Sequence, residues 1–182
     1  MDPVDTREPS VVIDETHWTD QVNQLLADWH QRVYAAQSAH YASADLFRKL
    51  NYAIGVPAVI FATVVGTAIF AGLEKDSPRA LAVAIVSILA AVLAGLQTFL
   101  RFSERAAQHA TAADWYSAIR REIEQILHLP IDCRGKAKDC LDEVRKEMNR
   151  AVQDAPELST RFWQREAKRF GVRERLHSPR ES

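Results

Sequence analysis

The chain has 182 residues, about the length of one domain, and its 23 basic and 24 acidic residues give a formal net charge of -1. A charge this close to zero excludes the broad positive field with which proteins bind nucleic acid through its phosphates, so no nucleic-acid partner is expected. The mean hydropathy of -0.21 does not exclude a membrane protein, because polar segments offset apolar ones in the average.

Two long stretches without a charged residue or a histidine dominate the sequence. They are residues 50–73 and 80–100, which as helices would be about 36 Å and about 32 Å long. The hydrocarbon core of a bilayer is about 30 Å thick, so each stretch is long enough to cross it. Because residues 74–79 allow only a short turn, the pattern predicts a transmembrane hairpin. The alternative is a pair of buried core helices in a soluble bundle, although such helices usually keep a polar stripe.

The segments on either side of the hairpin have helical periodicity and lie on the same side of the membrane. Before the first span, apolar side chains recur three and four residues apart between residues 15 and 49. After the second span a heptad seam follows, consisting of His109, Ala112, Tyr116, Ile119, Ile123 and Ile126. Such a seam predicts a narrow helix–helix contact, either with the incoming helix of the same chain or with another subunit.

The sequence therefore predicts an all-α protein, with a two-helix transmembrane hairpin that is extended by cytoplasmic antiparallel helices and followed by a short C-terminal helical segment. Residues 1–14 are predicted to be a disordered acidic tail, 15–128 a helical two-transmembrane domain, 129–176 cytoplasmic C-terminal helices and 177–182 a frayed tail. The basic and aromatic segment 159–176 either lies on anionic lipid, contacts a partner or docks on the bundle. Basic residues flank the hairpin on the side of the long segments, which favours cytoplasmic termini.

Small residues recur every four positions within the spans, a spacing that lets helices pack closely in lipid. They are Ala58, Ala62 and Gly66 in the first span and Ser87, Ala91 and Gly95 in the second. Ordinary alanine richness is the alternative explanation. Gly55 and Pro57 predict a kink in the first span, because proline removes a helical hydrogen bond.

The polar residues of the spans are few and uncharged, which argues against proton-coupled or ion-coupled transport. Two of them, Asn51 and Gln97, fall at the cytoplasmic ends of their spans, so the hairpin brings them to one level. The candidate pore-lining or gate residues are Asn51, Thr63, Thr67, Phe70 and Gln97. The alternative is that the threonine hydroxyls bond to their own helix backbone.

No catalytic or cofactor motif is present in the sequence, which lacks a glycine-rich phosphate loop and the HExxH, GxSxG and CxxC patterns. We therefore expect neither enzymatic activity nor a cofactor. Cys133 and Cys140 are too far apart on one helix for a disulfide, and with His128 they form too sparse a set to predict a metal site. His40 and His109 lie on apolar seams at a similar depth, where they could meet each other or the aqueous interior. Each is expected to be a satisfied histidine in a helix interface, and the alternative is a ligand-binding or sensor role.

Several residues resemble those of the SLATT family, bacterial two-transmembrane proteins associated with SMODS nucleotidyltransferases and SLOG nucleotide-sensing domains. The resemblance covers about residues 29–127 and is carried by His40, Tyr41, Gly55, Pro57, Tyr116, Ile119, Arg120 and Arg121. It implies an effector in bacterial conflict or anti-phage defence, located in the cytoplasmic (inner) membrane. It also implies that the protein forms homo-oligomers and permeabilises the membrane after a nucleotide signal or a partner triggers it.

No sensor domain is recognisable beside the hairpin, so the trigger is expected to act through a separately encoded partner or through residues 130–176. Together, the uncharged hairpin and the resemblance predict an oligomerising, regulated pore. The alternative is a non-conducting membrane anchor or scaffold that recruits a cytosolic partner through its helical segments.

Overall fold

The computed structural model describes residues 17–70 and 78–172, and every regular element within these ranges is helical. The elements are α1 (Asp20–Phe70), α2 (Pro78–Leu100), α3 (Phe102–His128), a 3₁₀ turn (Ile131–Cys133), α4 (Ala137–Asp154) and α5 (Thr160–Arg169). The predicted all-α class is confirmed. The two predicted tails and most of the turn between the spans lie outside the described residues.

Helix α1 is a single helix of 51 residues that contains both the segment before the hairpin and the first span. Its length is about 77 Å, far more than a bilayer core requires. At its start the amide of Val22 donates to the hydroxyl of Thr19 at 3.3 Å, so Thr19 caps the helix. Pro57 lies inside α1 and does not end it.

The second span and the following segment are separated by one residue, Arg101. Its φ of 48° and ψ of 42° are left-handed, and no other non-glycine residue in the described ranges has a positive φ. The sequence pattern predicts no interruption here, because the helical periodicity runs on past Leu100. A left-handed conformation costs a non-glycine residue about 1–2 kcal/mol. The Arg101 guanidinium forms an ion pair with Glu104 in the first turn of α3.

The first half of α1 and helix α3 form an antiparallel pair, which we call the arms. Their core contains Leu26 and Val33 of α1 together with Tyr116, Ile119 and Ile123 of α3. The heptad seam of α3 therefore has α1 of the same chain as its partner. Helix α4 packs mainly on α3, and α5 packs on α1, so the arms carry one additional helix each.

Helix α5 docks on the bundle, one of the three alternatives for the basic and aromatic segment. The ring of Phe170 lies 4.3 Å from that of Tyr34, centroid to centroid. The helix ends at Arg169, before the expected residue 176, because Gly171 adopts a φ of +65°. The amide of Val172 then donates to the carbonyl of Ala167 at 2.9 Å, which is the closing bond of a Schellman motif.

Candidate functional site

The two span helices leave their apolar surface uncovered. In the most apolar stretch of 18 residues in each span helix, at most 6% of the residues are buried inside the structure. Val59, Leu81 and Ile88 are each more than 60% exposed. The core helices of a soluble bundle would be mostly buried, so the alternative of two core helices is wrong. A surface this apolar is normally covered by lipid or by another chain.

Within the hairpin, α1 and α2 pack against each other along a face that has a buried alanine in each helix, Ala58 and Ala90. Half-buried residues continue this face at spacings of three and four: Asn51, Ile54, Phe61 and Val65 in α1, and Val83, Val86, Leu93 and Gln97 in α2. This face, not the predicted small-residue stripe of α2, forms the contact between the two spans.

The predicted small-residue stripes largely face away from the partner span. Of their six members, Ala58 alone is buried, whereas Ala62, Ser87, Ala91 and Gly95 are exposed and Gly66 is half-buried. A Cβ atom added to Gly66 or Gly95 would meet nothing within 4 Å. Close helix packing through these stripes therefore stays a prediction. It applies to contacts between two copies of the chain, because, apart from Ala58, the two spans of one chain do not meet along the stripes.

A polar contact joins the two spans at the ends that lead into the arms. The amide nitrogen Nε2 of Gln97 donates to Oδ1 of Asn51 at 3.4 Å. The side chain of Gln97 crosses over Gly55, where an added Cβ would lie only 2.8 Å from its Nε2. From the sequence, Asn51 and Gln97 are expected at one level, whereas Gly55 is expected at a kink. The structure shows that Gly55 provides the space that Gln97 occupies.

The other candidate pore residues do not form a cluster. The hydroxyl of Thr63 donates to the carbonyl of Val59 at 2.9 Å, and that of Thr67 donates to the carbonyl of Thr63 at 3.1 Å. Both hydroxyl protons are thus used within α1, the alternative weighed for them. The side chain of Phe70 lies outside the described part of the chain.

Two buried histidines, His40 of α1 and His109 of α3, contact each other directly in the arms. Their Nδ1 atoms are 3.0 Å apart, so one imidazole donates and the other accepts. The ring of Tyr116 stacks on His40 and that of Phe47 on His109, both at 5.5 Å between centroids. Burial lowers the pKa of His40 to about 4, with the nearby His109 as a second cause, and burial also lowers the pKa of His109. The pair is therefore neutral at pH 7.

The free energy of unfolding is expected to fall as the pH drops below about 6.5, the ordinary pKa of histidine. Between this value and the folded-state pKa of about 4 for His40, the unfolded chain binds more protons than the folded one. The stabilising contribution is therefore complete above pH 6.5 and is lost progressively toward pH 4. Urea unfolding at pH 7 and pH 5 should show a larger loss for the wild type than for His40→Gln.

The matched control for this measurement is His128→Gln, because His128 is exposed. This variant should keep the pH dependence of the wild type. An identical pH dependence in His40→Gln and the wild type would show that the buried pair does not contribute.

Comparison with known proteins identifies the family. The fungal model of the SMODS and SLOG-associating 2TM effector domain matches residues 31–154. The chain belongs to the SLATT family. No curated protein matches the chain, and no solved structure does. The matched region begins within α1 and ends with the last residue of α4. As a SLATT protein with two uncovered apolar helices, the chain is a membrane effector of a conflict system.

The residues that carry the SLATT resemblance lie mainly in the contact between the arms. His40 contacts His109, as described above. The hydroxyl of Tyr41 donates to Asp114 at 2.7 Å. The guanidinium of Arg120 lies over the ring of Tyr34, with its carbon 5.2 Å from the centroid. The SLATT residues thus join the arms to each other, and Gly55 lies in the contact between the spans.

Proposed function

We propose that this SLATT protein assembles with copies of itself in the membrane and forms a regulated pore that permeabilises it. The observation that carries the proposal is the outer face of the hairpin. This face is apolar and uncovered, and it bears the small residues Ser87, Ala91 and Gly95 in a row. Small residues at this spacing allow helices to pack closely in lipid, so a second copy of the hairpin fits this face.

In the proposed pore, the Asn51–Gln97 contact lies at the cytoplasmic mouth. Thr63, Thr67 and Phe70 remain candidates for the lining, and the aliphatic residues between them provide a constriction that opens by wetting. The spans carry no Asp, Glu, Lys, Arg or His, which is consistent with a pore that permeabilises the membrane and does not couple transport to an ion.

The proposal places both termini in the cytoplasm, where the arms receive a signal from a separately encoded partner, for example a nucleotide-dependent sensor. The biological outcome is defence, in which the membrane of an infected cell is permeabilised. Since the matching family model is the fungal one, the proposal concerns a cellular membrane and does not single out the bacterial inner membrane. No catalytic step is part of it.

Replacing both Gly66 and Gly95 with leucine is expected to abolish leakage without preventing membrane insertion. Because an added Cβ at either position would meet no atom of the other span within 4 Å, leucine is expected to leave the single hairpin intact and to obstruct contacts between chains. The measurement is membrane potential and dye leakage in cells that express the chain with its triggering partner, alongside its retention in carbonate-washed membranes.

The matched control is Ala53→Leu with Ala82→Leu, since both alanines are exposed on the spans but lie away from the small-residue stripes. These changes should leave leakage as in the wild type. Unchanged leakage in the Gly66 and Gly95 variant would contradict assembly through the stripes. A wild-type chain that inserts and never depolarises the membrane would favour the scaffold alternative.

A further inference from the structure

A groove opens on the cytoplasmic bundle between α1, α3, α4 and the linker from α4 to α5. Its volume is about 340 Å³, at the small end of the range of about 300–1,000 Å³ that is typical of ligand pockets. Most of its wall is apolar or aromatic and is formed by Val33, Ala36, Met148, Val152, Leu158 and Trp163. The groove therefore offers apolar contacts to a molecule of modest size.

Two polar residues, His40 and Tyr116, also line the groove. The Nδ1 atom of His40 is occupied by the contact with His109, which leaves Nε2 as the free ring nitrogen. The hydroxyl of Tyr116 makes no hydrogen bond within the described ranges, although the residue is only 7% exposed. An imidazole nitrogen and a phenol hydroxyl can each form a hydrogen bond, so these two atoms are available to bond to a polar atom of a ligand.

The charge of these groups indicates what kind of ligand fits. Burial lowers the pKa of His40 and raises that of Tyr116, so at pH 7 the groove presents a neutral imidazole and a protonated phenol. Its charged lining residues are Arg32 and Glu157, which have opposite signs. A strongly anionic molecule would meet one cation and one anion here, so the lining favours a neutral ligand.

We propose that this groove binds a small neutral aromatic molecule, whose ring lies among the apolar and aromatic wall residues and whose polar atom bonds to the Tyr116 hydroxyl and to Nε2 of His40. Apolar pockets with a few convergent polar groups are the usual form of small-molecule sites. His40 and Tyr116 also belong to the contact between the arms, so a bound ligand changes the stability of that contact. This regulatory consequence rests on the proposed function, whereas binding itself does not.

The test uses the full chain in detergent micelles and 5-fluoroindole, 4-fluorophenol and 6-fluoroquinoline as neutral aromatic probes, followed by ¹⁹F NMR. Saturable binding of at least one probe is expected, above the partition into empty micelles. Val152→Trp should reduce the affinity at least about tenfold, because Val152 is 65% exposed at the groove and tryptophan there fills it from outside. Asn149→Trp, exposed on α4 away from the groove, is the matched control and should bind like the wild type.

Two further measurements test the role of the Tyr116 hydroxyl and the preference for a neutral ligand. Tyr116→Phe keeps the stacked ring but removes the hydroxyl, so binding should weaken about three- to tenfold. The anionic probe 4-fluorobenzoate should bind more weakly than the neutral ones. The proposal is overturned if no neutral probe binds saturably, if Val152→Trp binds as well as Asn149→Trp, or if the anion binds best. Because these readouts need no pore, a failure of leakage and a failure of binding are distinguishable.

Discussion

Gly55→Leu is expected to abolish leakage and to lower the thermal midpoint of the detergent-solubilised protein by several degrees. A Cβ at this position would lie 2.8 Å from the amide nitrogen of Gln97. Alanine displaces only the end of this flexible side chain, which costs the hydrogen bond to Asn51. Leucine adds branched atoms that push the two spans apart, and overpacking of this kind costs about 1–3 kcal/mol. For a chain of this size, this corresponds to a shift of about 2–4 °C per kcal/mol.

The matched control is Gly66→Leu, which makes the same substitution in the same helix where an added Cβ meets nothing within 4 Å. Its thermal midpoint as a solubilised monomer should be unchanged or slightly raised, because leucine is a better helix former than glycine. A graded order, with Gly55→Leu least stable and Gly55→Ala intermediate, would establish that Gly55 makes room for Gln97. Equal midpoints for the two leucine variants would show that the spans do not approach each other there.

Ile123→Ala is expected to destabilise the arms by about 2–5 kcal/mol, the usual cost of truncating a fully buried isoleucine. Ile123 is 0% exposed and belongs to the core that joins α1, α3 and α4. The loss would be measured by urea unfolding followed through tryptophan fluorescence, since Trp18 and Trp29 pack against this core.

Ile131→Ala serves as the control, because Ile131 is 55% exposed in the 3₁₀ turn and its truncation should cost less than about 0.5 kcal/mol. Similar losses for both isoleucines would mean that the seam of α3 is not packed against α1 in the solubilised chain, and that it pairs with another subunit instead.

The hairpin and the seam were predictable because each depends on a pattern that a single chain displays. A long stretch without charged residues indicates a membrane span, and apolar residues three and four positions apart indicate a buried helix face. The partner of the seam was not predictable, because Tyr116 and Ile123 would show the same periodicity against α1 of their own chain or of a neighbour. Likewise, the spacing of Ser87, Ala91 and Gly95 defines a face of α2 but not what covers it.

Details that depend on backbone angles or on single contacts also escaped the sequence analysis. Nothing in the sequence around Arg101 distinguishes it from the junction at Arg48, yet the first is left-handed and the second helical. The similar depth of His40 and His109 was apparent from the hairpin geometry. Their direct contact depends on the rotation of α3 against α1, which only the packed structure defines. The role of Gly55 depends on the conformation of the Gln97 side chain, whose end lies against this glycine.

The two junctions between arm and span differ in backbone continuity. Helix α1 passes through its junction without a break, so a tilt or rotation of the arm at Trp29 is transmitted along the rod to the span. On the other side, α3 meets α2 at the left-handed Arg101, so the second span and its arm are two separate helices. The span of α1 is thus continuous with its arm, whereas the span of α2 is joined to α3 through a single non-helical residue.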